Sequence, residues 1–257
     1  MRAPALPAAL LRLPVAHRAY HDRAAGRPEN SRGAIRAAID AGYAIEIDLQ
    51  LSADGVPMVF HDEALDRLAH ATGLVSARRA EELSLIRLKD CEETIPTLSE
   101  VLEIVAGRAP LLIEFKDQDL QMGPKVGRLE EAAAALLRAY AGDYAVMSFN
   151  PHSVAALAGL LPDVARGLTT SAYLYEDWVP LSPEVCDRLR EIPDYDRVGA
   201  SFISHEAFDL GRPRVAELKA AGADVLCWTI RSAQEEAEAR RVAQNVTFEL
   251  YPAALPA

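Results

Sequence analysis

Short runs of apolar residues alternate with longer stretches of helical periodicity along the whole chain. The apolar runs predict nine strands, over 13–17, 44–50, 56–61, 110–116, 144–149, 164–170, 197–203, 224–230 and 246–250. The helical stretch over 98–107 has apolar residues at Leu98, Val101, Leu102 and Val105, which predicts one buried face. This order of elements is typical of an α/β protein with a parallel sheet.

Residues that favour helix N-termini mark where several of the helices begin. We recognise four such starts, namely Thr97 with Glu100, Ser232 with Glu235, Asn150 with Pro151, and Ser182 with Pro183. The first two pairs have the spacing of a capping box. The other two place a capping residue before a proline at the first helical position.

The number of strands predicts the architecture. If 56–61 continues the second strand as a hairpin, turned by Ala53-Asp54-Gly55, eight barrel strands remain. Eight βα units in 257 residues predict one TIM (β/α)8 barrel over 1–257, with its active site at the carboxyl ends of the strands. The charged stretch 62–95 is interpreted as a small insertion after the second strand, at the catalytic end. A doubly wound open sheet is the alternative, but its glycine-rich phosphate fingerprint is missing.

The composition is that of a soluble globular protein, with 50% hydrophobic and 25% charged residues. A formal net charge of -11 argues against nucleic acid or an anionic membrane surface as the main partner. A local basic patch could still bind a phosphate. No apolar run reaches the roughly 20 residues needed to cross a bilayer, so we expect no stable membrane insertion.

Cysteine usage and the N-terminus bear on the location of the protein. Three widely separated cysteines match neither a zinc spacing nor a disulfide framework, which favours a reducing cytoplasm. The N-terminus superficially resembles a signal peptide, because Arg2 precedes an apolar stretch. Prolines interrupt that stretch, and it runs directly into His17 and Arg18. We therefore expect a cytoplasmic protein.

Ionisable residues collect at the ends of the first three predicted barrel strands and of the hairpin. They are His17, Arg18, Glu46, Asp48, His61, Glu114 and Lys116. Barrel geometry would direct their side chains to one mouth. In the alternative interpretation Glu46 and Lys116 form an ion pair and both histidines are satisfied polar residues. Charged residues are rarely buried unless they are paired or bind a metal, so all seven together favour a site.

The residue types in this set indicate the chemistry. Three carboxylates without a nearby cysteine favour a hard divalent cation with oxygen ligands, Ca²⁺ or Mg²⁺. Two histidines beside such a site suggest a general acid and a general base. Arg18 and Lys116 would suit an anionic substrate, with phosphate as the expected group.

Four ordered segments in the first half of the chain are HRAYHDRAAGRPENS, IEIDLQLSADGVPMVFHDEALDR, PTLSEVL and LLIEFK. They resemble the glycerophosphodiester phosphodiesterase family, strongly over 14–116 and weakly as far as VLCWTI and the last strand. The resemblance implies a TIM barrel that hydrolyses a small-molecule glycerophosphodiester to glycerol 3-phosphate and an alcohol, in lipid and glycerol metabolism. It also implies that the glycerol 2-hydroxyl attacks first and gives a cyclic phosphate, which water then opens.

The resemblance assigns roles to the seven residues. It implies that the metal is held by Glu46, Asp48 and Glu114, and that His17 and His61 are the acid and the base. The phosphate would be contacted by Arg18 and Lys116. In the same stretch, Glu29 would belong to the outer shell of the metal, and Asn30 is interpreted as a helix cap.

Two positions depart from the family pattern. Ala19 stands where the family usually has glycine, and Glu249 lies near where an aspartate is more familiar. If Ala19 requires a positive φ, the strain costs about 1–2 kcal/mol. We expect neither residue to touch the metal or the two histidines, so that both bear on substrate preference more than on chemistry.

Other residues carry weaker signals. Phe149 and Trp228 could wall a glycerol pocket, or they could be aromatic residues of the rim and core. Arg23 and Arg27 could steer an anionic substrate or belong to an ordinary solvated loop. The remaining histidines are interpreted as loop or helix-start residues; they are His21, His70, His152 and His205.

Two other functions stay open at this point. The first is a lysophospholipase D-like or other phosphodiesterase on the same barrel. It would need an apolar acyl groove near the mouth, for which the 62–95 segment is too polar. The second is a barrel that binds glycerophosphodiesters or a metal without catalysis, which would require that a catalytic group be missing.

Overall fold

The computed structural model describes residues 4–256 of the chain. Its strands are β1 (Val15–Ala16), β2 (Ala44–Leu51), β3 (Pro57–Val59), β4 (Leu111–Phe115), β5 (Tyr144–Ser148), β6 (Arg166–Thr170), β7 (Phe202–Glu206), β8 (Asp224–Ile230) and β9 (Asn245–Phe248). Strand β1 pairs in parallel with both β2 and β9, which closes eight parallel strands into a barrel. Strand β3 pairs antiparallel with β2, outside this ring. The predicted (β/α)8 barrel and its hairpin are confirmed.

Helices cover the outside of the barrel and its lower end. They are α1 (Ala8–Arg12), α2 (Arg32–Ala41), α3 (Ala80–Leu83), α4 (Leu98–Val105), α5 (Arg128–Leu137), α6 (Pro151–Leu160), α7 (Pro183–Arg190), α8 (Pro213–Ala220) and α9 (Ala233–Ala239). The four apolar residues predicted to face inward from α4 are all buried. No helix within residues 4–256 has the length and apolar character needed to cross a membrane.

The four predicted helix starts are confirmed by their caps. A backbone N–H of the first turn donates to the side chain of Thr97, Asn150, Ser182 and Ser232. Ser232 and Glu235 at the start of α9 do not form a full capping box. The Glu235 carboxylate accepts from the backbone N–H of Arg231 and not from that of the N-cap residue Ser232.

The amino ends of the barrel strands are closed by α1 and an apolar cluster. The lower cluster consists of Leu6, Leu10, Val15, Ala44, Leu112, Ala145, Met147, Ala165, Phe202 and Leu226. Helix α1 is fixed to the barrel by Asn245 of β9, whose amide donates to the carbonyl oxygens of Leu10 at 2.7 Å and Leu13 at 2.6 Å. The barrel is therefore filled below its upper mouth. Arg2, which begins the signal-like pattern, lies outside the described residues.

Replacing Leu10 with alanine is expected to lower the free energy of unfolding by about 2–5 kcal/mol, because it removes a fully buried side chain from this cluster. Urea denaturation measures the change. The matched control is Leu85→Ala, since Leu85 is 77% exposed and its loss should cost less than about 0.5 kcal/mol. Equal losses in the two variants would contradict the role of α1 as the lower closure of the barrel.

One strand lies three to five residues further along the chain than predicted. The sequence predicts a strand over 197–203, whereas β7 occupies Phe202–Glu206. The residues before β7 form a turn that Asp194 holds, because its carboxylate accepts from the Arg197 guanidinium and its carbonyl from the N–H of Val198. Polar contacts therefore override the apolar pattern in this segment.

The position of β7 also changes the interpretation of His205. This residue lies in the strand and is fully buried, so its interpretation as a loop or helix-start residue is wrong. Its Nδ1 lies 2.8 Å from the Thr170 hydroxyl, and its Nε2 lies 3.2 Å from the Asp209 carboxylate. Burial lowers the pKa of His205, which favours a neutral structural histidine.

Residues 62–95 pack over β3 around an apolar cluster that they share with Met58 of β3 and with Phe60. This cluster consists of Met58, Phe60, Leu65, Leu68, Ala69, Val75, Leu83, Leu88 and Ile95. The segment includes α3 and returns to the barrel at α4. Its status as an insertion within a single domain over 1–257 stays a prediction.

Candidate active site

The seven ionisable residues meet at the upper mouth of the barrel. They line a cavity of about 150 Å³, here called the mouth cavity. The rest of its lining is Met147, Phe149, Thr169, Ser204, Trp228, Thr229, Arg231 and Thr247. The structure thus brings every residue predicted for the site, including both aromatic residues, to one place.

Three buried carboxylates form the first part of the site. Glu46, Asp48 and Glu114 each offer a carboxylate oxygen, and these oxygens lie within 4.8 Å of one another. Burial and the charges of Asp48 and Glu114 raise the pKa of Glu46 well above its ordinary value. Burial also opposes ionisation of Asp48, but the positive charges of Lys116 and Arg18 hold its pKa well below its ordinary value. A buried, all-oxygen donor set of this kind fits Ca²⁺ or Mg²⁺.

Arg18 lies between the carboxylates and His61. Its backbone N–H donates to Glu46 at 2.7 Å, and its guanidinium donates to Glu29 and to His61 Nε2, both at 2.8 Å. Arg18 and Ala19 have φ values of 51° and 65°, so the strain anticipated for a positive φ at Ala19 is present. This left-handed turn brings the Arg18 N–H to the carboxylate of Glu46.

Lys116 supplies a second positive charge at the carboxylates. Its Nζ donates to Glu114 at 2.7 Å and lies 3.5 Å from Asp48 Oδ1. Burial opposes its charge, yet the two carboxylates raise the pKa of Lys116 above its ordinary value. Lys116 is thus a charged, positioned ammonium whose ion pairs join it to Glu114 and Asp48.

His61 is oriented by two neighbours. Its Nδ1 lies 2.7 Å from Asp62 Oδ1, and the Arg18 guanidinium donates to its Nε2. Because a guanidinium can only donate, Nε2 accepts and Nδ1–H donates to Asp62. Arg67 joins the Asp62 and Glu29 carboxylates. Sequence reasoning missed Asp62 and Arg67, although Asp62 directly follows His61.

His17 has a carboxylate partner from the far end of the chain. Its Nδ1 lies 2.7 Å from Glu249 Oε2, and Glu249 also contacts His21 Nε2 at 3.5 Å and accepts from Arg231 at 2.9 Å. Burial lowers the pKa of His17. Burial opposes the charge of Glu249, but the hydrogen bonds of Glu249 to His17 and His21 hold the pKa of Glu249 well below its ordinary value. A neutral His17 therefore donates to an ionised Glu249, which leaves Nε2 for the cavity. The expectation that Glu249 touches neither histidine is wrong.

Asn30 positions a carboxylate instead of capping a helix. The cap of α2 is Ser31, whose hydroxyl accepts from the N–H of Ala34. Asn30 has a φ of 59°, and its amide donates to Asp48 Oδ2 at 2.9 Å while it accepts from the Asp48 N–H at 3.3 Å. The left-handed conformation before the cap turns Asn30 toward Asp48, so the interpretation of Asn30 as the cap is wrong.

Two aromatic rings wall the mouth cavity. Phe149 and Trp228 meet edge to face, with ring centroids 5.5 Å apart. The Trp228 indole N–H donates to the carbonyl oxygen of Ser204 at 3.0 Å, which fixes its plane. The cavity therefore has a charged side and an aromatic side.

A partly apolar groove of about 690 Å³ adjoins the mouth cavity, since Trp228, Thr229 and Arg231 line both. Its apolar lining comes from Ala207, Phe208, Leu210, Ile230, Ala239 and Val242. The groove was not predicted, because these residues come from β8, α9 and the segments that follow β7 and α9, and not from 62–95.

The other residues with weak indications of function form ordinary ion pairs or lie outside the lining of the mouth cavity. Arg23 pairs with Asp90, and Arg27 lies 3.6 Å from Asp22, which supports the solvated-loop interpretation of both arginines. His152 is the second residue of α6, as expected for a helix start.

The sequence profile of the Glycerophosphoryl diester phosphodiesterase family matches residues 17–246. A glycerophosphodiester phosphodiesterase of Caldanaerobacter subterraneus subsp. tengcongensis is 32% identical over 161 residues. That match covers 59% of this chain and 65% of the relative, which is just under two thirds of the relative's length.

Two solved structures are similar over nearly the whole chain. A phosphodiesterase of Oleispira antarctica, solved in complex with the product sn-glycerol-3-phosphate, has a TM-score of 0.74 and 26% identity, covering 93% of this chain and 94% of its own. A glycerophosphodiester phosphodiesterase of Agrobacterium tumefaciens has a TM-score of 0.69 and 25% identity, covering 94% and 97%. With the family profile matched over most of its length, this chain belongs to the glycerophosphoryl diester phosphodiesterase family of phosphoric diester hydrolases.

Proposed function

We propose that this protein is a metal-dependent glycerophosphodiester phosphodiesterase that releases glycerol 3-phosphate and an alcohol. The observation that carries the proposal is the buried triad of carboxylates beside two histidines, each oriented by its own carboxylate. The product named for the similar Oleispira antarctica structure supports the substrate class.

Glu46, Asp48 and Glu114 are the proposed ligands of a divalent cation, Ca²⁺ or Mg²⁺. Their buried oxygens concentrate negative charge that Arg18 and Lys116 offset only in part. When bound, such a cation neutralises charge on a phosphoryl group and polarises its oxygens.

Arg18 and Lys116 are the proposed phosphate contacts. Both are positively charged and largely buried at the edge of the triad, where charge interactions are stronger than in water. The Nε of Arg18 makes no hydrogen bond within residues 4–256 and lies 3.8 Å from Asp48 Oδ2. Fixed donors of this kind stabilise the charge that develops in the transition state.

His17 and His61 are the proposed proton carriers. One takes the proton of the attacking glycerol 2-hydroxyl while the other gives a proton to the oxygen of the departing alcohol. The P–O bond to that alcohol breaks as the new P–O bond closes a cyclic phosphate. Water then opens the ring with the proton transfers reversed, which leaves glycerol 3-phosphate.

Replacing Glu249 with glutamine is expected to lower kcat/KM by about 10–100-fold, which corresponds to about 1.5–3 kcal/mol for a hydrogen bond to a charged group. Burial lowers the pKa of His17, and the hydrogen bond to Glu249 partly offsets this by raising it. Loss of that hydrogen bond should therefore move the His17 limb of the pH–rate profile to lower pH. Glu249→Asp should restore part of the activity. Glu217→Gln is the control, because Glu217 is exposed, pairs with Arg214 and lines neither the mouth cavity nor the groove. An unshifted profile in Glu249→Gln would contradict the pairing.

A second candidate is a lysophospholipase D-like activity, which the partly apolar groove beside Trp228 favours. Three carboxylates also line this groove, those of Glu206, Glu235 and Glu238, and they make it unsuitable for an acyl chain. We therefore expect glycerophosphocholine to be hydrolysed faster than lysophosphatidylcholine. The opposite order of kcat/KM would favour the second candidate.

The test of the proposed function is turnover of glycerophosphocholine before and after chelation of metal. We expect activity with added Mg²⁺ or Ca²⁺, its loss in EDTA, and its return when the cation is added again. Full activity after rigorous removal of metal would contradict the metal dependence. Tight binding of the substrate by calorimetry with no product over hours would support the non-catalytic alternative instead.

A further inference from the structure

We propose that three buried hydroxyl groups at the bottom of the mouth cavity form a subsite for the hydroxyl-bearing glycerol end of the substrate. They belong to Thr169 of β6, Ser204 of β7 and Thr247 of β9, and are here called the hydroxyl floor. This inference rests on the proposed function and adds the residues that select the substrate.

The members of the hydroxyl floor are almost fully buried, with exposures of 2%, 0% and 2% for Thr169, Ser204 and Thr247. Each hydroxyl oxygen lacks a hydrogen-bond partner within residues 4–256. Thr169 and Ser204 are opposite each other in the register of β6 and β7, and all three side chains line the mouth cavity. The hydroxyl floor is therefore a polar surface made of three hydroxyl groups, not one isolated hydroxyl.

A buried hydroxyl without a partner is unfavourable, and buried polar side chains are normally hydrogen-bonded. Valine has the shape of threonine without this cost. Two threonines and a serine at the bottom of one cavity therefore point to a polar ligand that supplies the missing partners. A phosphate oxygen can only accept, whereas a ligand hydroxyl both donates and accepts and so matches both roles of a floor hydroxyl.

The position of the floor indicates which end of the substrate it meets. The metal-binding carboxylates come from β2 and β4, whereas the hydroxyl floor comes from β6, β7 and β9. Below the floor the barrel is closed by the lower cluster, including Leu10 and Phe202, so the group that reaches it must be short. A leaving alcohol of varying size has room toward the wider groove beyond Trp228. The three-carbon glycerol end fits the closed side.

The test compares two ligands on the metal-loaded protein by calorimetry. Glycerol 3-phosphate carries both a phosphate and hydroxyls, whereas ethyl phosphate carries the phosphate alone. Thr169→Val and Thr247→Val should each weaken glycerol 3-phosphate binding about threefold to tenfold, the value of one hydrogen bond. Affinity for ethyl phosphate should not change, and neither valine variant should have a lower Tm. Ser204→Ala repeats the test at the third position.

Thr170→Val is the matched control, because Thr170 is adjacent in β6 but its hydroxyl bonds His205. This variant should lose stability and keep the wild-type ratio of the two affinities. Unchanged glycerol 3-phosphate binding in all three floor variants, or equal losses for both ligands, would overturn the proposal. If wild-type protein hydrolyses glycerophosphocholine and the floor variants bind normally, only the subsite is wrong. If wild-type protein shows the ligand preference but no turnover, the proposed function is wrong and the subsite stands.

Discussion

Alanine at His17 or at His61 is expected to lower turnover of glycerophosphocholine by about 10²–10⁴-fold, the contribution typical of a general acid or base. Metal affinity should stay near the wild-type value, because neither histidine belongs to the triad of Glu46, Asp48 and Glu114. Steady-state kinetics at saturating metal gives the first quantity, and calorimetric titration with Mg²⁺ or Ca²⁺ gives the second.

The two histidines serve one sequence of proton transfers, so their losses should not add. The double alanine variant should be little slower than either single variant, since residues that act as a unit are grossly non-additive. His70→Ala is the control, because His70 is exposed and does not line the mouth cavity. Near-normal turnover in either single variant would remove that histidine from the chemistry. Loss of metal binding as complete as in a carboxylate variant would assign it to the metal site instead.

Glu46→Gln should weaken metal binding strongly and, in metal-free protein, raise the stability. Burial and two neighbouring carboxylates raise the pKa of Glu46, so the folded protein holds this proton at a pH where the unfolded chain has lost it. Wild-type stability then falls as pH rises from the ordinary glutamate pKa toward the raised one. Glutamine removes this fall and keeps an acceptor for the Arg18 N–H. Thermal melts with EDTA across this pH range measure the difference.

Glu114→Gln is the matched variant for this comparison. It also removes a proposed metal ligand, but it replaces the carboxylate in the ion pair with Lys116 by a neutral amide. Metal binding should weaken in both variants, whereas only Glu46→Gln should gain stability in metal-free protein as pH rises. A Glu46→Gln protein that binds metal as tightly as wild type, or that gains no stability, would contradict the assignment of the triad.

The carboxylates and their neighbours could be predicted because their positions follow from local geometry. A side chain two residues from another in a strand lies on the same face, and parallel strands present their carboxyl ends at one mouth. Glu46 and Asp48 in β2, and Glu114 in β4, therefore meet as soon as the barrel closes. The strand pattern together with barrel geometry was sufficient to place these three carboxylates side by side.

Contacts between distant segments could not be predicted in the same way. Glu249 reaches His17 across 232 positions of sequence, and only the closure of β9 against β1 brings the two together. Asn30 was interpreted from its place before a helix, although its backbone turns it toward Asp48. The position of β7 was missed because polar bonds around Asp194 define a turn that apolar patterning does not reveal.

Phosphorus NMR of glycerophosphocholine incubated with the metal-loaded protein tests the central claim most directly. The account predicts that the phosphodiester signal is replaced by that of glycerol 3-phosphate, with choline released in equal amount and with no conversion in EDTA. It also predicts a transient five-membered cyclic phosphate signal when hydrolysis of the ring is slowed. Phosphocholine as the product, or full conversion in the absence of metal, would contradict the account.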